Sequence, residues 1–251
     1  MGGRAVLVTG GSGGIGRAVA HAFAAAGDRV AVHHNSSSVA AGRTLRALPG
    51  NGHLLVQADL SDPEAVRRMV DRAAAGLGGL DVLVNNAGVY VEHPPTDTDY
   101  ETWQRVWAHT LAVNLVGAAN VTWCAVRHML ASGVAGQIVN VSSRGAFRGE
   151  PDHPAYAASK AGLNALAQSL AQALGAHDIT VNTVAPGFVD TEMAAEVLAG
   201  PEGDQVRAQS PFGRVATAEE VAAAVIYLAS PTARFTSGAI LDLNGASYLR
   251  T

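Results

Sequence analysis

Short apolar runs rich in β-branched residues alternate along the chain with longer, Ala-rich helical patterns. The runs Ala5–Thr9, Arg29–His33, Gly52–Gln57, Leu80–Asn85, Gln137–Ser142, Ile179–Ala185 and Ala239–Leu243 predict seven strands. The segments Ile15–Ala26, Val39–Leu48, Pro63–Gly76, Tyr100–Ser132, Ala155–Gly175 and Ala218–Ser230 predict the helices between them. Stretches such as Val82-Leu83-Val84 show no polar alternation, which fits strands covered on both faces. Strand–helix alternation of this kind predicts an α/β fold in one domain over residues 1–251, a parallel sheet with helices on both sides. Tyr100–Ser132 is long for one helix, and Gly117 marks a candidate bend. Residues 191–215 are the least regular, and Gly200-Pro201-Glu202-Gly203 predicts a mobile loop there.

Composition narrows the function. Of 251 residues, 48% are hydrophobic and 15% charged, enough for a large core without long solvated charge runs. The net charge of −4 argues against nucleic acid or an anionic membrane as a partner. The single cysteine, Cys124, has no intramolecular partner for a disulfide and suits a reducing compartment. The first apolar run, Ala5-Val6-Leu7-Val8, ends at Thr9-Gly10, too soon for a signal-peptide core, and no apolar stretch is long enough to span a bilayer. A soluble, cytoplasmic protein is expected. His93-Pro94-Pro95 reads as a rigid loop without a second ligand at metal-binding spacing, so no metal is expected.

Two motifs carry chemistry. The first strand runs into Gly10-Gly11-Ser12-Gly13-Gly14-Ile15-Gly16 and then a helix. Glycines there permit a tight turn and a close backbone approach to a diphosphate, which then faces free N–H groups and the positive end of the helix dipole. The second motif is Tyr156-Ala-Ala-Ser-Lys160, which holds the only lysine among seventeen Lys+Arg residues. Residues four apart on a helix share a face. A cation about 4 Å from a phenol, at an effective dielectric near 20, contributes about 4 kcal/mol. That corresponds to a phenol pKa lowered by roughly three units from about 10. The pair is therefore a candidate proton donor and acceptor near neutral pH.

With Gly10-x3-Gly14-x-Gly16 and Tyr156-x3-Lys160 both present, the chain resembles the short-chain dehydrogenase/reductase family in its roughly 250-residue form, close to 3-oxoacyl-[acyl-carrier-protein] reductases. Asn85-Asn86-Ala87-Gly88, Asn114, Ser142-Ser143, Pro186-Gly187 and Thr191 follow in the family's order, so the resemblance covers essentially the whole chain. It implies a Rossmann-type doubly wound sheet and a catalytic tetrad of Asn114, Ser143, Tyr156 and Lys160. Ser143 is selected over Ser142 because it lies thirteen residues before Tyr156. By the same resemblance, Ser143 binds the substrate oxygen and Tyr156 exchanges its proton. Lys160 holds the nicotinamide ribose and lowers the phenol pKa, and Asn114 supports a water relay. Cofactor contacts are implied for Gly10, Ser12, Gly14, Ile15, Gly16, Asn86, Ala87, Gly88, Tyr156, Lys160, Pro186, Gly187, Val189 and Thr191, and for Leu60 beside Asp59. Asp59 reads either as an adenine contact or as a helix cap before Pro63. The family also implies a homotetramer through the helices at Tyr100–Ser132 and Ala155–Gly175, and a substrate-side role for loop 191–215. Leu243-Asn244-Gly245-Ala246 departs from its usual Asp-Gly-Gly, and Ser237-Gly238 from its usual Thr-Gly.

The second strand ends in His33-His34-Asn35-Ser36-Ser37-Ser38, with no carboxylate to repel a 2′-phosphate. Donors from His34, Asn35 and Ser36 favour NADP(H) over NAD(H), although Gly13 and Asn35 lack the family's common basic side chains. Candidates for the substrate pocket are Val89, Tyr90, Phe147, His153, Phe188 and Met193. Arg144 and Arg148 read as ligands for an acidic substrate or carrier protein, or as solvated charges. Trp103 and Trp107 share a helical face and are expected to pack at the core or at a subunit interface. The expected activity is hydride transfer between NADP(H) and a carbonyl or secondary alcohol, with a 3-oxoacyl thioester or related ketone as substrate. The alternative is a non-catalytic NAD(P)-binding regulator of the same fold.

Overall fold

The computed structural model of the chain describes residues 3–250, so the outermost residues of the predicted 1–251 domain lie outside it. Seven strands form one parallel sheet: β1 (Ala5–Val8), β2 (Arg29–His34), β3 (Leu54–Gln57), β4 (Val82–Asn85), β5 (Gln137–Val141), β6 (Thr180–Pro186) and, last in the chain, β9 (Ile240–Leu243). Their order is β3-β2-β1-β4-β5-β6-β9. The two remaining strands, β7 (Val189–Asp190) and β8 (Ala216–Thr217), pair with each other in a separate short ladder. All seven predicted strands are present, with ends shifted by up to two residues.

The pleat sends alternate residues of each strand into different layers. Ala5 and Leu7 of β1 join one buried cluster with Val66, Val70, Val121 and Met129. These side chains belong to α3 (Pro63–Leu77) and α5 (Ala118–Ser132). Val6 and Val8 point the other way, toward Val19 and Phe23 of α1 (Gly14–Ala25) and Val221 and Val225 of α10 (Ala218–Leu228). Both faces are dry, which is why the strands read as continuous apolar runs. The helices α2 (Ser38–Ala47) and α7 (Pro154–Leu174) complete the two layers.

The expected helix at Tyr100–Ser132 is α4 (Tyr100–Leu111), a π-helical segment at Ala112–Gly117, and then α5, in one continuous run. The expected bend at Gly117 is thus a widened turn, and it contains Asn114. Gly117 is needed for close approach: a Cβ there would lie 2.6 Å from the Leu60 carbonyl oxygen. Trp103 and Trp107 pack on each other with ring centroids 5.6 Å apart, and Trp103 meets His93. Within 191–215 the chain forms two short helices, α8 (Ala195–Ala199) and α9 (Gly203–Ala208). The short α6 (Gly145–Arg148) lies between β5 and α7. Among the described residues no helix is long and apolar enough to cross a membrane.

Helix propensity favours Ala over Gly by about 1 kcal/mol, but at Gly117 the added methyl meets backbone that cannot rotate away. Overpacking of this kind costs about 1–3 kcal/mol. Gly117→Ala is therefore expected to lower the free energy of urea unfolding; an increase would show that the Leu60 contact yields freely.

Candidate active site

The strand order reverses between β1 and β4, and in open parallel sheets ligands bind in the crevice outside the carboxyl ends at such a point. A cleft of about 510 Å³ lies there, bounded by the glycine turn after β1, the end of β2, the turn after β4, the end of β5, α7 and the segment after β6.

The glycine turn is tied down from two sides. The Thr9 hydroxyl accepts from the N–H groups of Asn86 and Ala87 at 2.9 and 3.1 Å. The Asn86 amide donates to the Thr9 and Gly10 carbonyls. Gly10 has φ +65°, and its N–H donates to His33 Nδ1 at 3.0 Å. His33 Nε2 lies 3.1 Å from the Ala58 carbonyl, so both ring nitrogens are engaged and the ring is the neutral Nε2–H tautomer. Burial holds its pKa down to about 4. His33 is a strut between the glycine turn and the sheet. Gly16 packs behind the turn, where a Cβ would lie 2.2 Å from the Gly10 carbonyl oxygen.

At the other end of the cleft, the Lys160 Nζ donates to the Val141 carbonyl at 2.8 Å and lies 5.7 Å from the centre of the Tyr156 ring. Ser143 Oγ accepts from the Gly145 N–H at 3.0 Å. Ser142 is a backbone-shaping neighbour: its N–H donates to Val184 O and its hydroxyl to Lys160 O. Asn114 is buried behind the wall. Its Oδ1 accepts from the Val89 N–H at 2.8 Å, and its Nδ2 donates to Val89 O and Ser159 Oγ. A Cβ on Gly88 would lie 3.3 Å from Asn114 Oδ1 and 3.5 Å from Lys160 Nζ. Three elements thus meet in one polar corner.

The expected fall in the phenol pKa is overturned. Burial raises Tyr156 to about 12, opposed by the neighbouring Ser143 hydroxyl. Burial lowers Lys160 to about 8. Helical spacing brings the two groups together but says nothing about their solvation, and here the loss of water sets the direction of both shifts.

The cleft wall includes Gly10, Ser12, Gly14, Ile15 and His34, then Asn35, Ser36, Asp59, Leu60 and Asn86. It continues with Ala87, Gly88, Ser143, Tyr156, Lys160 and Pro186, then Gly187, Val189 and Thr191. Asp59 accepts from the backbone and hydroxyl of Ser61, which lowers its pKa. The cap of α3 is Asp62, which accepts from Glu64 N and Ala65 N, so the capping alternative for Asp59 is excluded.

Val89, Tyr90, Phe188 and Met193 border the cleft. His153 stacks on Tyr90 with centroids 3.7 Å apart, and Tyr90 meets the Tyr156 ring edge-on at 4.7 Å. Phe147 does not border the cleft and lies under the Arg250 guanidinium instead. Arg144 is neither a solvated charge nor a surface ligand for a carrier protein: it is buried and donates to Ser247 and Gln209. Arg148 faces Glu150 at 3.8 Å. Asn244 donates to Tyr248 O, and Ser210 to Gly245 O, so the altered turn after β9 is closed by its own contacts. His109, Val113, Glu150 and Glu192 also border the cleft. Nothing in their spacing marked them in advance. Among the described residues no cluster of His, Cys, Asp or Glu is placed to hold a metal ion.

A family model described as enoyl-(acyl carrier protein) reductase matches residues 10–245. The chain belongs to the short-chain dehydrogenase/reductase family and is an oxidoreductase of the CH–OH/carbonyl class. It is similar to cis-4-hydroxycyclohexanecarboxylate dehydrogenase of Sinomonas cyclohexanicum, 40% identical over 96% of this chain and 95% of that protein. It is also similar to acetoacetyl-CoA reductase of Rhizobium meliloti, 36% identical over 98% of each. A short-chain dehydrogenase from Burkholderia cenocepacia, solved in complex with NADP, superposes with a TM-score of 0.88 at 36% identity over 97% of each chain.

Burial of Lys160 has a thermodynamic signature. Its folded pKa of about 8 lies below its ordinary value of 10.5. Between these values the unfolded chain holds the extra proton, so stability rises with pH across that window. Lys160→Met is expected to be more stable than the parent at pH 7, by at most on the order of 3 kcal/mol. The gap should close toward pH 10.5 in chemical denaturation. A gap independent of pH would contradict a desolvated ammonium.

Proposed function

We propose that this chain catalyses reversible hydride transfer between NADP(H) and a secondary alcohol or ketone, with a 3-oxoacyl thioester or a related ketone as substrate. The observation that carries the reading is the convergence of Ser143, Tyr156 and Lys160 at one end of a cleft whose other end is a glycine turn facing a helix N-terminus. The cleft suits a dinucleotide: the turn offers backbone donors, and Gly88 leaves open the space a side chain would fill beside Asn114 and Lys160.

When bound, a nicotinamide cofactor supplies or accepts the hydride. The remaining work falls to the chain. Ser143 Oγ accepts from Gly145 and its hydroxyl lies against the phenol, so its hydrogen can turn from the phenol to the substrate oxygen, where negative charge develops. Tyr156, protonated at neutral pH, donates its proton to the same oxygen. The Lys160 cation, protonated below about pH 8, stabilises the charge left on the phenol and offers N–H groups to ribose hydroxyls. Asn114 keeps the widened helix turn against Val89 and supports the water relay from the corner it shares with Lys160. Tyr90, backed by His153, forms an aromatic wall beside the reacting oxygen.

Preference for NADP(H) is supported by the end of β2. Asp59, on the cleft wall, is engaged by Ser61. Ser36 and Ser37 border the cleft where α2 begins, and that helix has neither an acid in its first turn nor a side-chain cap. An uncapped helix start favours a phosphate. Residues 191–215 form the substrate-side flap in this reading. Exposed Val116 and Trp123, on the long α4–α5 run, suit burial in a homotetramer.

Purified protein is expected to oxidise NADPH faster than NADH with a panel of 3-oxoacyl thioesters and cyclic ketones, and Tyr156→Phe should lose about 10²–10⁴-fold in kcat. A parent inert with every ketone, yet still binding NADPH, would favour the regulator instead. Because kcat/KM for the cofactor reports free-enzyme ionisations, reduction should be level through neutral pH and fall above about pH 8 as Lys160 loses its proton. In Lys160→Met that inflection should be missing.

A further inference from the structure

The N-terminus of α1, where the diphosphate is proposed to sit, already carries an anion from the chain itself. Glu192 Oε2 accepts from the Gly14 N–H at 3.0 Å, across 178 residues of sequence. Its other oxygen, Oε1, pairs with Arg17 Nη1 at 3.1 Å. The helix supplies nothing comparable on its own: it has no acid in its first turn, and Gly13 gives it no side-chain cap. Gly13 and Gly14 lie directly against the carboxylate, at ordinary contact distance. Cβ atoms on them would lie 3.5 and 3.7 Å from Glu192 Oε2. Its own backbone N–H most of all, and then the Arg17 charge and the Gly14 N–H, hold the Glu192 carboxyl below its usual range, so it is ionised at neutral pH.

We infer that Glu192 is a built-in competitor for the diphosphate of the dinucleotide, a latch that draws the segment after Thr191 onto the glycine turn until that anion displaces it. The inference rests on the proposed NADP(H) reading and adds a residue that tunes affinity within it. A carboxylate and a diphosphate at one helix N-terminus use the same N–H groups and the same positive end of the dipole, so they exclude each other. The contact is built to be broken, because the Glu192 side chain is 65% exposed and its partner Arg17 54%. Exposed pairs of this kind are weak, so entry of the dinucleotide is hindered without being blocked. The latch also joins two events. Glu192 lies between Thr191 and Met193, both on the cleft wall, so releasing it frees the start of the substrate-side segment as the cofactor arrives.

The test is a fluorescence titration of NADPH at low ionic strength with the parent, Glu192→Gln and Glu192→Asp, together with hydrogen exchange of the cofactor-free proteins. Glu192→Gln is expected to bind NADPH about 2–5-fold more tightly, the size of a helix-end charge effect. Its peptides spanning 191–199 should exchange faster than the parent's. Glu192→Asp keeps the charge but is one methylene too short to hold Gly14 and Arg17 together, and it should also bind more tightly. Unchanged or weaker binding in Glu192→Gln overturns the latch. So does tighter binding in Glu192→Gln with parent-like Glu192→Asp, which would indicate general charge repulsion. A parent that binds neither NADPH nor NADH sinks the proposed function instead, and the exchange comparison still decides whether Glu192 closes the turn.

Discussion

An ammonium without water sets the terms for this site. Lys160 Nζ is buried on the Val141 carbonyl at the tip of β5, and the same desolvation acts on the phenol beside it. Burial penalises the charged form of both groups, so it pulls the lysine toward neutrality and holds the tyrosine protonated. The cation that persists at neutral pH lies close to a phenol that still has its proton. That combination suits donation of a proton to a developing alkoxide. The reverse direction needs a phenolate, which has to be created against the same penalty.

The sheet explains how so few residues make the site. Parallel strands end at one edge, and each contributes its last side chains and its following turn to the same crevice. β1 brings the glycine turn, β4 the Asn86-Ala87-Gly88 turn, β5 the Val141 carbonyl and Ser143, and β6 Pro186-Gly187. Buried hydrogen bonds then hold the strand ends in register. Asn85 Nδ2 donates to Asn140 Oδ1 and Thr122 Oγ1, linking β4, β5 and α5 directly below the site. Such groups are costly if left unpaired and directional when paired. A purely apolar junction would hold these turns less specifically.

What the sequence made legible follows from what periodicity and spacing can encode. Seven apolar runs became the seven strands because a sheet covered on both faces requires uninterrupted apolar residues. The glycine turn was legible because a positive φ at Gly10 and a backbone contact at Gly16 admit little else. Spacing placed Tyr156 over Lys160, yet the sign of the phenol shift was wrong, because solvation belongs to the assembled cleft. The widened turn around Asn114 was equally hidden: Gly117 signalled an irregularity, but only its contact with Leu60 explains which one. The role of His33 was hidden because its two partners, the Gly10 N–H it accepts from and the Ala58 carbonyl it donates to, arrive from distant segments. Asp59 and Asp62 are three apart, and only the local turn decides that the second caps α3 while the first turns back onto Ser61.

The segment that follows β6 is held differently from the rest. The sheet and its two helical layers are fixed by dry packing, whereas residues 191–215 bury little beyond Ala194 and Val206 and meet the body through polar contacts near each end. At the near end Glu192 touches Gly14 and Arg17. At the far end Gln209 accepts from Arg144, and Ser210 donates to Gly245. The far contacts draw on a buried guanidinium, while the near one is exposed. Unequal anchoring makes the near end the weaker tie, and that is where the proposed latch would act. The sheet itself need not move. In the proposed latch, binding at the glycine turn would loosen this stretch within a scaffold whose strand ends are fixed.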